Sequence, residues 1–245
     1  MSSAAGSRPG WTRYDDFAGP ELDPARWEPL TLGGVARLEP AARTTVADGV
    51  LSVEIPEFTN ADPGNQMLDN TKHVVFATQG FPLPPGGVAR FAVELRADVG
   101  DPSGDYRLGF ASLNVADTTG GTHQVFNILS TGARVFAEQE VLPVPGQADP
   151  FTRVVEDPFF LARAGGQADD GFRHCQIEVD RARGQVVWRV DHRVLHVASG
   201  LTDLPDELHM GLGMFTLLAI GDGPGSVRGQ GGSASWRNLA FSLDT

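Results

Sequence analysis

Between residues 172 and 197 polar and apolar side chains take turns. Cys175, Ile177 and Val179 alternate with His174, Gln176, Glu178 and Asp180, which is the period of two that makes a half-buried strand. Gly184 closes a turn at 181–184, and the β-branched and aromatic run Val186, Val187, Trp188, Arg189, Val190 follows. A second turn at 191–193 leads into Val194, Leu195 and Val197, so the stretch predicts a hairpin and the start of a third strand. The same signal recurs along the chain. Leu51, Val53 and Ile55 follow an Asp48–Gly49 turn, and Phe91, Val93 and Leu95 share one face of residues 88–97. Residues 73–78, 106–115, 123–129, 134–142, 208–218 and 235–243 read as further strands. Gly211 and Gly213 inside one of them predict a close approach across that face.

No extended stretch carries a helical period, and the 30 glycines and 17 prolines are spread as turn residues. The chain is therefore expected to be all-β, a sandwich of antiparallel strands over residues 13–245 behind an N-terminal arm of residues 1–12. One segment, 143–171, breaks the rhythm and carries Phe159, Phe160 and Leu161. It reads either as a lid over a binding site or as a cover for a sheet edge.

Charge narrows the partners. A net charge of −12 and a pI near 4.8 argue against nucleic acid or an anionic membrane as partner. No apolar run is long enough to cross a membrane as a helix, and the opening MSSAAGSRPG lacks the apolar core of a secretory signal. Cys175 is the single cysteine, so no internal disulfide can form, and its place on an apolar strand face marks it as a core residue. Together these features lead to the expectation of a cytoplasmic protein.

The chemistry-bearing candidates come from the strand pattern. Glu138 and Glu140 are two apart on one strand and share a face with Arg134 and Phe136, their Cα atoms roughly 6.5–7 Å apart. Retaining glycosidases hold two carboxyl groups about 5–5.5 Å apart, a separation this spacing permits. In a dry site one carboxylate raises the pKa of the other, giving an acid and a base together. On a solvated face the same pair would be inert and screened by Arg134. His174 and His209 occupy strands, and because an unperturbed imidazole has its pKa near neutrality the residue type suits either acid–base or structural use. His123 and Asn127 share one face, and Tyr106, Ser112 and Asn114 another, supplying donors and acceptors for a ligand. Lys72, the only lysine, adjoins His73, and both are candidate ligand contacts. The six histidines form no metal pattern, and neither a nucleophile elbow nor a dinucleotide fingerprint is present.

Three short motifs then resemble one superfamily. They are Asp15, Asp16, Phe17, Leu22, Asp23, Arg26 and Trp27 at the start, Trp188, Val190 and Asp191 in the late hairpin, and Trp236 and Asn238 near the end. Their order is similar to that of the concanavalin A-like lectin/glucanase jelly rolls, with the family-16 glycoside hydrolases as nearest relatives. The resemblance implies a two-sheet antiparallel jelly-roll sandwich whose one curved sheet forms a ligand cleft. It also implies a Glu-x-Asp-x-(x)-Glu motif, of which only Glu138-x-Glu140 remains here, and a glycine after W-x-V-D where this chain has His192. Relatives of this fold hold a structural calcium, which would fall to Asp15, Asp16 and Asp244; no other cofactor is expected.

Two functions follow as expectations. The first is a specialised-metabolite enzyme that cyclises, isomerises or eliminates without a redox cofactor. In it Glu138 and Glu140 act as acid and base, Arg134 places an anionic or carbonyl group of the small-molecule ligand, and His174 is a reserve base. The alternative is a glycan-active protein, either a divergent hydrolase or a lectin-like binder.

Overall fold

The computed structural model describes residues 10–32, 34–59, 72–99, 104–142, 151–157, 170–218, 220 and 227–244. Among these residues there are eighteen strands and no helix. Sheet A runs β16 (Arg193–Ser199), β15 (Gln185–Val190), β14 (Arg173–Asp180), β9 (Val88–Val99), β18 (Gly232–Asp244), β6 (Val50–Ile55) and β5 (Arg43–Ala47), with β1 (Thr12–Asp15) also paired to β18. Sheet B runs β13 (Phe151–Glu156), β12 (Val135–Val141), β11 (Gln124–Ser130), β10 (Phe110–Ala116), β17 (Glu207–Phe215), β7 (Lys72–Ala77) and β2 (Trp27–Pro29), with β8 (Phe81–Pro82) against β17. A small ribbon joins β3 (Thr31–Leu32) to β4 (Val35–Ala36). The strand pairs within both large sheets are antiparallel. This is the concanavalin A-like jelly-roll sandwich that the motifs implied.

The alternation read from the sequence decides which side chains meet between the sheets. Phe91, Val93 and Leu95 of β9, Ile177 of β14, Trp188 of β15 and Trp236 of β18 face Leu113, Phe126, Ile128 and Leu212 from sheet B. Each aromatic or branched side chain so buried stabilises the fold by about 1.5–3 kcal/mol. Cys175 belongs to this layer and is fully buried, and burial pushes its thiol pKa far up, so it behaves as a small apolar residue.

Each of the three short motifs is a joint of the scaffold. In the first, Asp15 lies at the end of β1 in sheet A and Trp27 at the start of β2 in sheet B. The Trp27 indole N–H donates to Asp15 Oδ2 at 2.7 Å, and Asp15 Oδ1 accepts from the Phe17 amide at 2.8 Å. Tyr14 and Arg26 tie the same two segments, the Tyr14 hydroxyl donating to the Arg26 carbonyl and the Arg26 guanidinium to the Tyr14 carbonyl. In the last motif the Trp236 indole crosses the core and donates to the Ser112 carbonyl of β10 at 3.2 Å. Asn238, two residues on, takes φ 55° where the register of β18 shifts, a conformation asparagine tolerates better than most residues. In the middle motif Asp191 and His192 both take positive φ, 49° and 64°, at the β15–β16 turn. That is the two-residue turn in which glycine is favoured, so His192 occupies a position a glycine would hold without strain.

Several expectations change. The segment 143–171 contains a strand, β13, and Phe159, Phe160 and Leu161 lie outside the described residues. The proposed arm reaches into β1 at Thr12, while residues 1–9 are likewise outside the described residues. The close approach predicted at Gly211 and Gly213 is made by the protein's own side chains. A Cβ at Gly211 would stand 2.8 Å from the Phe76 ring, and one at Gly213 would stand 2.9 Å from Val74.

The Asp15–Trp27 joint predicts a measurable loss. Asp15→Ala should lower the unfolding free energy by about 1–3 kcal/mol, because it orphans a buried indole N–H. Urea denaturation should show this as a lower midpoint at unchanged slope. Trp27→Phe removes the same bond, so the double variant should lose less than the sum of the two; strict additivity would mean that the bond contributes nothing.

Candidate active site on the outer face of sheet B

One register runs across sheet B and sorts its side chains between the core and the opposite, outer face. Glu138 of β12 pairs with Asn127 of β11, Asn127 with Asn114 of β10, and Asn114 with Gly211 of β17. Because Ala137, Ile128, Leu113 and Leu212 point into the core, Glu138, Asn127 and Asn114 point the other way, side by side in one row. Phe136 and Glu140 flank Glu138 on the same strand. Glu138 and Glu140 thus share one face, as their spacing of two along the strand requires.

That row is dry. Glu138, Asn127 and Asn114 are 5%, 6% and 2% exposed. Apolar clusters lie to either side: Phe110, Leu129 and Phe136, with Tyr106 and Phe215 against them, and Val74, Phe76, Ala116 and Val125. The Asn127 amide donates to Glu138 Oε2 at 2.6 Å. Even so, loss of water and then the negative charge of Glu140 lift the Glu138 pKa to about 7, against the pull of Asn127. Burial also raises Glu140, opposed by the hydrogen bond that Thr152 of β13 donates at 3.2 Å and by the charge of Lys72. The Tyr106 ring leans on Phe136, with centroids 4.9 Å apart. Burial and then the charge of Glu138 raise its phenol pKa, which places the phenol within electrostatic reach of the acid. Near neutral pH the pair can therefore offer one proton donor and one carboxylate in a water-poor site.

Other candidates fall elsewhere. Lys72 does lie on this face, but His73, its neighbour, must point the opposite way. His73 sits between the sheets, where Nδ1 accepts from the Glu39 amide at 3.2 Å and Nε2 stands 3.4 Å from the Thr44 hydroxyl. It borders a cavity of about 10 Å³ with Leu51, Val53, Leu212 and Trp236, room for roughly one water and on the far side of the sheet from Glu138. Burial lowers its pKa, so it stays neutral. His174 belongs to sheet A, faces away from the core and packs on His192 with ring centroids 4.5 Å apart, so it cannot act as reserve base for Glu138. His123 is a turn residue at φ 54°, not part of the strand that carries Asn127. Arg134 lies at the turn before β12, its guanidinium 3.2 Å from Glu156, and four residues along the strand, roughly 13 Å, separate it from Glu138. It is not positioned to hold a group against that acid. His209 lies on the outer face in the row of Glu140, with Val125 and Ala116 between them.

The sequence reading missed the device that steadies this edge. Between β10 and β11 the Asp117 carboxylate accepts from the amides of Thr119, Gly120, Thr122 and His123 and from the Thr119 and Thr122 hydroxyls. Burial alone would raise its pKa, but these donors outweigh it and hold the carboxyl below its usual range. Thr118 in the same loop contacts His209 Nδ1 at 2.8 Å. The run Asp-Thr-Thr-Gly-Gly-Thr is a turn composition in which such self-bonding is expected.

The carboxylates named for calcium do not converge. Asp15 is bonded to Trp27, and Asp16 accepts from the Ala18 amide. Asp244 pairs with Arg90, five residues along β18 from Leu239, the partner of Asp15, or roughly 17 Å. Among the described residues no group of three or more His, Cys, Asp or Glu is placed to hold a metal ion.

Comparison with known proteins gives the family. Residues 14–244 match the family described as "Family of unknown function (DUF6081)", and the chain belongs to it. No curated protein matches it in sequence. Among solved structures it is similar to an endo-1,3-β-glucanase from Streptomyces sioyaensis, with a TM-score of 0.64 and 16% identity over 98% of this chain and 99% of the other. A GlcNAcα1-4Gal-releasing endo-β-galactosidase from Clostridium perfringens gives 0.62 and 11% over 99% of this chain and 65% of the other. The carbohydrate recognition domain of Emp47p gives 0.56 and 13% over the whole of both chains. At these identities the likeness is one of fold.

The burial of Glu138 makes stability depend on pH. The folded protein keeps a proton that the unfolded chain releases between about pH 4.5 and pH 7, so Glu138 makes stability fall as pH rises through that window. A shift of this size corresponds to an amount on the order of 3 kcal/mol. In urea titrations at pH 5 and pH 8, Glu138→Gln should remove most of that difference; an unchanged pH dependence would show that Glu138 ionises freely.

Proposed function

We propose that this protein acts on glycans by acid–base chemistry, with Glu138 as proton donor and Glu140 as its ionised partner. The observation that carries this reading is the Glu138 carboxyl: buried, held by Asn127, lifted to about 7, and two residues from a second carboxyl on the same face. The protonated acid would deliver its proton to a glycosidic oxygen as the bond to the anomeric carbon breaks. Glu140 would attack that carbon or activate a water against it, and the strand spacing suits the closer, retaining arrangement. The fold supports the assignment, since its solved likenesses include a 1,3-β-glucanase, a lichenase and a carbohydrate recognition domain. Fold alone does not fix chemistry. Among the described residues no strand of sheet B turns three carboxylates to this face, so the catalytic set is smaller than in the family-16 motif.

A second reading, an acid–base enzyme for a small apolar metabolite, is favoured by the phenylalanines beside the acid. Phe110, Phe136 and Phe215 face Glu138's side of the sheet, whereas Trp27, Trp188 and Trp236 are all consumed by the core.

Reducing-sugar release from laminarin and lichenan tests the first reading. Glu138→Gln and Glu140→Gln should each lower turnover by about 10²-fold or more. Activity of the wild type should fall as pH rises past about 7, where Glu138 loses its proton. Full turnover in both variants would overturn the assignment. A wild type inert toward both glucans but stabilised by polycyclic metabolites in a thermal-shift screen would favour the second reading; a ligand at 100 times its Kd adds about 2.7 kcal/mol.

A further inference from the structure

Two amide groups beside Glu138 have work left to do. Asn114 Nδ2 and Asn127 Oδ1 are buried and make no hydrogen bond among the described residues. They belong to directly paired residues of β10 and β11, so their side chains stand side by side on the outer face, about 5 Å apart at the backbone. The bond from Asn127 Nδ2 to Glu138 fixes which way that amide points and leaves its carbonyl oxygen turned from the acid. Burying a donor and an acceptor without partners is unfavourable, and native structures avoid it unless a ligand or water completes the set.

Resting on the glycan reading above, we infer that Asn114 and Asn127 together bind one hydroxyl of a neutral sugar next to the bond that Glu138 protonates. A hydroxyl satisfies both groups at once, accepting from Asn114 Nδ2 and donating to Asn127 Oδ1. A sulfate or carboxylate cannot donate to Asn127 and would face the negative charge of Glu140. Among the described residues, Lys72, Tyr106, His209 with Glu207 beside it, Glu28 opposite Phe76, and the Arg134–Glu156 pair are the other charged or titratable groups placed on this face. None belongs to the Asn114–Asn127–Glu138 row. The apolar clusters on either side of the row, with Phe136 and Phe76 among them, would pack against the carbon faces of the sugar rings while the row reads its hydroxyl edge. Asn127 acts twice in this scheme: it positions Glu138 and it recognises the substrate.

The test uses the full chain carrying Glu138→Gln, so that laminarihexaose is bound but not consumed; the glutamine still accepts from Asn127. Adding Asn114→Leu should weaken laminarihexaose binding at least about 10-fold by calorimetry. It should also raise the melting temperature by about 2–4 °C, because an unpaired buried amide is replaced by an apolar group of similar size. A sulfated galactan hexasaccharide should not bind the single variant. A lower melting temperature would make Asn114 a structural residue and overturn the inference. Equal laminarihexaose affinity with and without Asn114 would overturn it while leaving the glycan reading intact. Equal binding of the sulfated sugar would remove the selectivity for neutral glycans. If neither Glu138→Gln nor the wild type binds laminarihexaose, the inference and the glycan reading fail together. Should Asn114→Leu not fold, Asn114→Ala carries the same comparison.

Discussion

Everything proposed for this protein depends on strand parity in sheet B. Successive side chains of a strand point to opposite faces, so one register across β12, β11 and β10 simultaneously fills the core with Ala137, Ile128 and Leu113 and lines up Glu138, Asn127 and Asn114 outside it. A slip of one residue would bury the acid in the core and expose the aliphatic row. The scaffold joints resist such a slip. Trp236 reaches from sheet A to the Ser112 carbonyl of β10, and Asp15 clamps Trp27, so the two sheets are fixed to one another near both ends of the chain.

Within that frame the outer face is an uneasy mixture. Phenylalanine and valine side chains lower the local polarity, and they do so around a carboxyl that would prefer water. The molecule resolves the conflict by lifting the pKa of Glu138, which stays protonated where an exposed glutamate would be ionised. A stability loss on ionisation and a proton held in reserve are two consequences of the same burial. Asn127 tempers the first without abolishing the second, because a single neutral donor offsets only part of the lost hydration.

How much of this could be read from the sequence divides along physical lines. Half-buried strands such as β9 and β14 announce themselves by alternation, and the shared face of Glu138 and Glu140 follows from their spacing. Strand β13 was hidden because Phe151, Thr152 and Arg153 are exposed and no residue of it is buried, so it carries no period of two. Parity within a strand also says nothing about which sheet the strand joins. His174 has the right alternation and the wrong sheet, and His73 adjoins a site-facing lysine yet points into the sandwich. The motif Asp15…Trp27 was visible as a resemblance, but its role as a clamp, and the resulting loss of Asp15 as an ion ligand, needed the fold.

The most direct measurement is the titration of the Glu138 carboxyl itself, followed by carbon NMR in protein labelled at the glutamate side chains and assigned with Glu138→Gln. One carboxyl resonance should titrate with its inflection near pH 7 and be absent from the variant. A Glu138 resonance that titrates in the ordinary glutamate range, around pH 4 to 5, would contradict it. The acid would then be hydrated and ionised, and Glu138 could not serve as the proton donor at neutral pH.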